Sequence, residues 1–124
     1  MSSFVASHRN ARISAQKVRL VADLVRGQFA DEALDTLKYQ PQRGARMLEK
    51  VIQSAVANAL DPEQTGGRPY TIDELVLSDV RIDGGPMFRR MRPRARGSAH
   101  IIKKRSSHIS VKVTPVDEIL EGTS

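Results

Sequence analysis

Residues 74–113 contain the clearest strand pattern of the chain, and they read ELVLSDVRIDGGPMFRRMRPRARGSAHIIKKRSSHISVKV. Both ends of this stretch alternate between apolar and polar residues, ELVLSDVRID over 74–83 and HISVKV over 108–113. Alternation with a period of two predicts half-buried β-strands. In the second strand, the residues expected to share the inner face are Ile109, Val111 and Val113.

The residues between these two strands show almost no core-forming pattern. Because the two flanking strands are expected to pair, the simplest geometry for the intervening chain is a long antiparallel hairpin. We expect this arm over about 84–107, with its turn near 93–97. Roughly a dozen residues per side would give a reach on the order of 40 Å. An isolated two-stranded ribbon is marginally stable in water, so the arm would need a partner to become ordered.

Upstream of the strands, the apolar spacing changes to the helical period of three and four residues. A first helix is predicted over about 15–26, with Ser14 as N-cap and Gly27 as its stop. A second is predicted over 31–39, followed by Pro41 and a third that ends at Asp61. Residues 3–12 alternate weakly and predict a short strand, and 63–69 predict a loop. The residues expected to face inward on the three helices are Val18, Val21, Leu24, Val25, Phe29, Ala33, Leu34, Leu37, Leu48, Val51, Ile52, Ala55, Val56 and Ala59.

These elements predict one α+β domain over residues 1–124. Three helices would pack on a small antiparallel sheet, and the long basic β-hairpin would protrude from it. A chain of 124 residues is long enough for one modest core. The final segment, 115–124, is short and acidic, and we expect it to be a loose tail.

Charge is segregated along the chain. Lys and Arg outnumber Asp and Glu by 20 to 14. Residues 1–22 contain four basic residues and no acid, 23–83 contain seven basic and eleven acidic residues, and 84–116 contain nine basic residues and no acid. A chain charged only for solubility tends to mix its signs. Two basic segments around an acidic middle therefore indicate a polyanion-binding surface, with RNA or DNA as the expected partner.

Three basic clusters are the candidate binding residues. Five arginines fall within eight positions of the arm, and guanidinium groups suit bidentate phosphate contacts. The alternative explanation of these arginines is a solvated basic loop without a ligand. The alternative explanation of the lysines that follow is that they keep an edge strand from pairing with another chain. Arg19 is as well explained by an i,i+4 ion pair with Asp23 as by RNA contact. The full set of candidates is Arg9, Arg12, Lys17, Arg19, Arg89, Arg90, Arg92, Arg94, Arg96, Lys103, Lys104 and Arg105.

Enzyme signatures are weak. The three histidines are dispersed and lack metal-ligand spacing, and no phosphate-binding glycine loop or nucleophile motif is present. There are no cysteines, which fits a reducing compartment. No apolar run is long enough to span a bilayer. We therefore expect no catalysis, no metal, no cofactor, no membrane partner and no homo-oligomer, and a cytoplasmic location.

Two alternatives differ in class. The first is an architectural DNA-bending protein, which also carries a β-arm with Arg and a Pro at its tip. Such proteins usually place paired arms on a dimeric body. The second is an RNA-modifying enzyme, for which the chain has no coherent acid, base or cofactor motif.

Several motifs resemble the bacterial-type large-subunit ribosomal protein twenty-two family. They are SAQKVRLVADLVRG at 14–27, EALDTL at 32–37, KVIQSAVANA at 50–59 and GPMFRRMRPRARGSAHIIKKRSSHISVKV at 85–113. They follow one another in the family's order and cover nearly the whole chain, from about Val5 to Val113. Aromatic residues are scarce, so base stacking on a sheet is not expected at scale.

The resemblance implies a structural ribosomal protein that binds large-subunit ribosomal RNA early in assembly. Its implied partners are that RNA, neighbouring ribosomal proteins and the nascent peptide near the hairpin tip. A small body would lie near the exit of the peptide tunnel, with the hairpin threading inward. Lys103 to Arg105 would form the hairpin base on RNA. The tunnel-proximal residues would be Phe88, Met91, Pro93, Ala95 and Gly97.

Some positions depart from the family pattern. Ser98 stands where the family often has Arg, Gly84 replaces a common acid, and Phe88 replaces a smaller or aliphatic residue. Ser106 replaces Thr, which is a mild change. The acidic tail has no counterpart in the pattern, and the residues do not distinguish a bacterial cytoplasmic ribosome from an organellar one.

Overall fold

The computed structural model describes residues 3–61, 70–86, 88–93 and 99–116, with backbone alone for 88–93 and 99–104. The predicted loop at 63–69, residues 94–97 of the predicted hairpin turn and residues 117–124 of the predicted tail lie outside these residues. Pro115, predicted to begin the loose tail, is instead the buried last residue of a strand. Within the described part the order is β1 (Phe4–Ala11), α1 (Ala15–Ala22), α2 (Ala30–Lys38), α3 (Arg43–Leu60), a 3-10 turn (Ile72–Glu74), β2 (Leu75–Gly84), β3 (Phe88–Pro93), β4 (Ala99–Lys104) and β5 (Ser107–Pro115). The α+β prediction is confirmed.

The body sheet has three antiparallel strands in the order β1-β5-β2. β5 is central, and its alternation is confirmed because Ile109, Val111 and Val113 are fully buried. β2 pairs with β5 from Leu75 opposite Pro115 to Gly84 opposite Ser107, with an irregularity at Ser78. The predicted pairing of the strands that flank the arm is therefore confirmed.

α3 is the central helix of the core. It packs on β1 and β5 and contacts both α1 and α2. Its apolar stripe is buried as predicted, at positions Leu48, Val51, Ile52, Ala55, Val56 and Ala59. A helix that buries one continuous stripe against a sheet removes that area from water, and this burial is the main stabilising contribution.

α1 ends earlier than predicted, at Ala22 instead of near Arg26. Ser14 is its N-cap, and its side chain accepts a hydrogen bond from the Lys17 amide at 3.4 Å. After Ala22 the chain tightens into turns and then bends at Gly27, whose φ of +80° suits glycine. The Gly27 amide donates to Leu77 O in β2 at 3.2 Å.

This bend makes one core prediction wrong. Leu24, expected to face inward, is 45% exposed, whereas Val25 is fully buried. The helical spacing that would have placed Leu24 on the inner face no longer applies beyond Ala22. Phe29 and Leu34 are half-buried, and Phe29 forms an isolated antiparallel bridge with Val76.

No helix in the described ranges is both long and apolar enough to cross a membrane.

Candidate nucleic-acid interface

The arm is an antiparallel hairpin in its own sheet. β3 pairs with β4 over six positions, from Phe88 opposite Lys104 to Pro93 opposite Ala99. The ladder is interrupted between Gly84 and Phe88 and between Lys104 and Ser107, so the arm does not simply continue the body sheet. The antiparallel hairpin geometry is confirmed, with six paired positions on each side among the described residues.

The arm's register brings one pair of like charges to opposite positions. Arg89 lies opposite Lys103, whereas Arg90 lies opposite Ile102 and Arg92 opposite His100. Like charges at directly opposed positions destabilise an antiparallel pair, and no acid occurs from Gly84 to Val116 to offset them. A bound polyanion would remove this repulsion.

The structure places the other predicted arm residues as follows. Arg90, Met91 and Pro93 also lie on β3, and Lys104 ends β4. Arg94, Ala95, Arg96 and Gly97 lie outside the described residues.

The base of the arm is held by a close contact between its two sides. The Gly85 amide donates to Ser106 O at 2.9 Å, and the Ser106 hydroxyl donates to Pro86 O at 2.5 Å. A Cβ on Gly85 would lie only 2.7 Å from Ser106 Oγ. The missing side chain therefore permits this approach, and the two bonds fix the point where the arm leaves the body.

Beside this base lies an open cleft of about 680 Å³. It is lined by Ser14, Ala15, Gln16, Arg19, Gly84, Gly85, Arg105 and Ser106. Arg105 is exposed, and the first residues of α1, Ala15 and Gln16, line the same space. The first amides of a helix lack intrahelical acceptors and favour anions. Two guanidinium groups and a helix start thus converge where the arm joins the body, an arrangement suited to a phosphate.

Arg19 has a structural role that the sequence did not predict. Its Nε and Nη2 donate to Ile82 O in β2 at 3.1 and 2.8 Å. The alternative ion pair with Asp23 is wrong, because Asp23 instead pairs with Arg26. Arg19 therefore joins α1 to β2 while lining the cleft, and its Nη1 takes no part in these bonds.

Arg26 lies beyond the end of α1 at the spacing expected for a polar helix face, but its side chain also binds β2. Its Nε donates to Val80 O at 3.1 Å. Together with Gly27 at Leu77 O and Arg19 at Ile82 O, it satisfies carbonyls along the outer edge of β2. An edge strand with unpaired groups is prone to pair with other chains, and these donors cover it. Nothing in the local sequence signals this role.

The remaining N-terminal candidates are exposed. Arg9 lies on β1, Arg12 follows it, and Lys17 is in the first turns of α1. None of the three forms an ion pair with any residue in the described ranges. Their charges are therefore available to a ligand on the side of the body where α1 begins.

The histidines show no catalytic arrangement in the described part of the chain. His108 Nδ1 accepts a hydrogen bond from the Asn10 amide at 3.1 Å, and His8 lies opposite Ile109 in the sheet. Among the described residues, no group of three His, Cys, Asp or Glu side chains could hold a metal ion.

Comparison with known proteins gives two findings. A family model described as ribosomal protein L22p/L17e matches residues 6–114. The chain is also 73% identical over 119 residues to the large ribosomal subunit protein uL22 of Rhodopirellula baltica, which covers 96% of this chain and 100% of that protein.

Proposed function

The chain belongs to the ribosomal protein L22p/L17e family, and we propose that its arm and the cleft at the arm's base bind large-subunit ribosomal RNA. It is a structural ribosomal protein of the large subunit and not an enzyme. Its place is the cytoplasmic ribosome, where ribosomal RNA and neighbouring ribosomal proteins are its partners.

The observation that carries the proposal is an acid-free hairpin anchored beside a cationic cleft. The arm positions Arg89, Arg90 and Arg92 on one strand and Lys103 and Lys104 on the other. Binding phosphates would relieve the repulsion between these positions and release counterions, which favours association. The same step would stabilise the hairpin, since an isolated ribbon is marginal by itself.

The mechanism we propose is electrostatic clamping. The cleft, with Arg105 and the start of α1, would bind a phosphate at the body. The N-terminal residues Arg9, Arg12 and Lys17 would extend this contact, and the arm would reach a second RNA segment. Holding segments that are distant in the RNA sequence against one rigid protein would favour their assembly.

The arm's far end would lie beside the nascent peptide, as the family resemblance implies. Phe88, Met91 and Pro93 occupy β3, and we extend the proposal to Ala95 and Gly97, which follow it in the sequence. The chain would act as one domain and as a monomer. A monomer with a single arm would also differ from a DNA-bending protein, which carries paired arms on a dimer.

A salt titration tests the proposal. The full-length protein is titrated with large-subunit ribosomal RNA and with duplex DNA of equal charge at several salt concentrations. The double variant Arg89→Ala/Arg90→Ala should bind the RNA more weakly, and its salt slope should flatten by about one unit per lost phosphate contact. The matched control is Arg81→Ala/Lys112→Ala, which removes two exposed cations from the body sheet.

The cleft has its own variant, Arg105→Gln, which should weaken RNA binding without lowering thermal stability, because Arg105 is exposed. If both double variants lose affinity equally, net charge and not the arm determines binding. If the protein binds DNA as well as the ribosomal RNA at the higher salt, the RNA proposal is wrong and a DNA-bending role is favoured.

A further inference from the structure

Tyr39 is the most exposed large hydrophobic side chain in the described part of the molecule. It is 80% exposed, at the C-cap of α2. A single exposed apolar residue needs no explanation by itself. Tyr39, however, lies in a short basic stretch within the acidic middle segment of the chain.

The residues around Tyr39 form a basic island in an acidic region. Residues 23–83 contain eleven acids and seven basic residues, yet residues 38–50 contain four of those basic residues and one acid. That acid, Glu49, is already paired with Arg46 at 3.0 Å. Lys38 and Arg43 are exposed and form no ion pair with any described residue. We call residues 38–43 the α2–α3 corner.

The corner is held by hydrogen bonds that do not use the Tyr39 side chain. Arg46 Nη2 donates to Leu37 O and to Gln40 O, the latter at 2.7 Å. These bonds satisfy carbonyls at the end of α2, which would otherwise face water. The Gln40 amide also donates to Leu37 O at 3.1 Å. Tyr39 therefore projects from a fixed turn and would lose little backbone freedom on binding.

The corner also lies close to the start of α1, near the exposed N-terminal cations. α3 approaches α1 closely at Gly44, where an added Cβ would lie 3.4 Å from Val18 Cα. The chain neighbours of these two residues, Arg43 and Lys17, are both exposed. A polyanion bound at the start of α1 therefore needs only a short path to reach the corner.

We propose that the α2–α3 corner is a second RNA contact, at which Tyr39 stacks on an unpaired base of the ribosomal RNA while Lys38 and Arg43 bind the phosphates on either side. This inference rests on the proposed RNA-binding function and adds a base-stacking site outside the arm. An exposed aromatic ring between two cations suits a single-stranded nucleotide, because every base has a π-face and stacking tolerates any sequence. Lys38 and Arg43 outnumber the one exposed acid nearby, Asp35 on the preceding turn of α2, so the excess charge favours an anionic partner.

The chain supplies its own probe of this contact. It has no Trp and two Tyr, Tyr39 and Tyr70. Tyr70→Phe keeps an aromatic ring beside Phe4, whose ring centroid lies 6.0 Å from that of Tyr70, and leaves Tyr39 as the sole tyrosine fluorophore. Tyr39→Phe leaves Tyr70 as the sole tyrosine fluorophore and serves as the matched control. Light absorption by the RNA lowers the tyrosine emission of both variants equally.

Each variant is titrated with large-subunit ribosomal RNA while tyrosine emission and RNA affinity are followed. In Tyr70→Phe, emission should be quenched beyond the dimming seen in Tyr39→Phe. Tyr39→Ala should lose about tenfold in affinity, whereas Tyr39→Phe and the exposed-residue control Leu60→Ala should keep the wild-type affinity. Lys38→Ala/Arg43→Ala should weaken binding and flatten the salt slope.

The outcomes separate the two proposals. If the wild type shows no preference for the ribosomal RNA, the proposed function itself fails. If the wild type binds it, but Tyr39 is not quenched and Tyr39→Ala binds like the wild type, the arm function stands and the corner inference is overturned. If Tyr39→Ala impairs incorporation into large subunits with RNA affinity unchanged, the corner contacts a protein and the inference is equally overturned.

Discussion

The contact between Gly85 and Ser106 gives a prediction whose magnitude follows from the structure. In Gly85→Ala the new Cβ would lie 2.7 Å from Ser106 Oγ, 3.3 Å from the Ser106 carbonyl carbon and 3.4 Å from His108 Cε1. Ser106 is only 3% exposed, so its side chain has little room to move. Overpacking of this kind costs about 1–3 kcal/mol, and displacing Ser106 Oγ also loses its bond to Pro86 O, worth about 1 kcal/mol.

We expect Gly85→Ala to lower the free energy of unfolding by about 2–3 kcal/mol, a fall in Tm of roughly 8–12 °C for a chain of this size. Ser106→Ala alone should cost about 1 kcal/mol through the lost hydrogen bond. The double variant should cost only slightly more than Ser106→Ala, because the atom responsible for the closest contact is then absent. The coupling energy between the two substitutions should therefore exceed about 1 kcal/mol.

Urea and thermal unfolding of the four proteins in this cycle provide the assay. The matched control is Gly84→Ala, since a Cβ at Gly84 meets nothing within 4 Å and should be within about 0.5 kcal/mol of neutral. RNA affinity is measured in parallel, and Gly85→Ala should weaken it by misdirecting the arm. Additive costs in the cycle, or equal costs at the two glycines, would show that a Cβ at position 85 does not clash with Ser106.

Two further predictions concern the body. Arg19→Ala should destabilise the fold by about 1–2 kcal/mol through loss of its two hydrogen bonds to Ile82 O. Lys17→Ala removes the same charge from the same helix and should leave stability nearly unchanged. Equal unfolding midpoints of the two variants would show that the bonds from Arg19 to β2 do not stabilise the fold. Leu48→Ala, at a fully buried site, should cost about 2–5 kcal/mol. Leu20→Ala, at a site that is 68% exposed, should stay within about 0.5 kcal/mol of wild type, and calorimetry of both variants checks the contrast.

Much of the fold was predictable because periodicity reports burial directly. The stripe of α3 and the alternation of β5 follow from the repeat of apolar residues alone, and both are buried as expected. The hairpin was predictable for a related reason, since two strands that pair must be joined by the chain between them. The ribosomal role is indicated by the family resemblance, which the residues of the arm and of three helical motifs carry by themselves.

What the sequence could not determine are contacts between groups distant in the chain. Arg19 and Arg26 look like members of a solvated helix face, but both donate to carbonyls of β2, more than fifty positions away. A side chain's partner depends on which edge its helix packs against, and local pattern carries no such information. The early end of α1 has the same cause, because the bend that exposes Leu24 is set by the bond from Gly27 to Leu77.

The candidate site also combines features that the sequence shows with features that only the structure shows. Charge segregation is a property of the sequence and by itself identified the arm and the N-terminal cluster as cationic surfaces. Only the tertiary structure brings Arg105 and the start of α1 to one cleft, and only burial shows that Ser106 secures the arm's base while Tyr39 stands in solvent. Composition and period determine which faces are apolar or charged, whereas packing decides which of them meet, because that depends on the path of the whole chain.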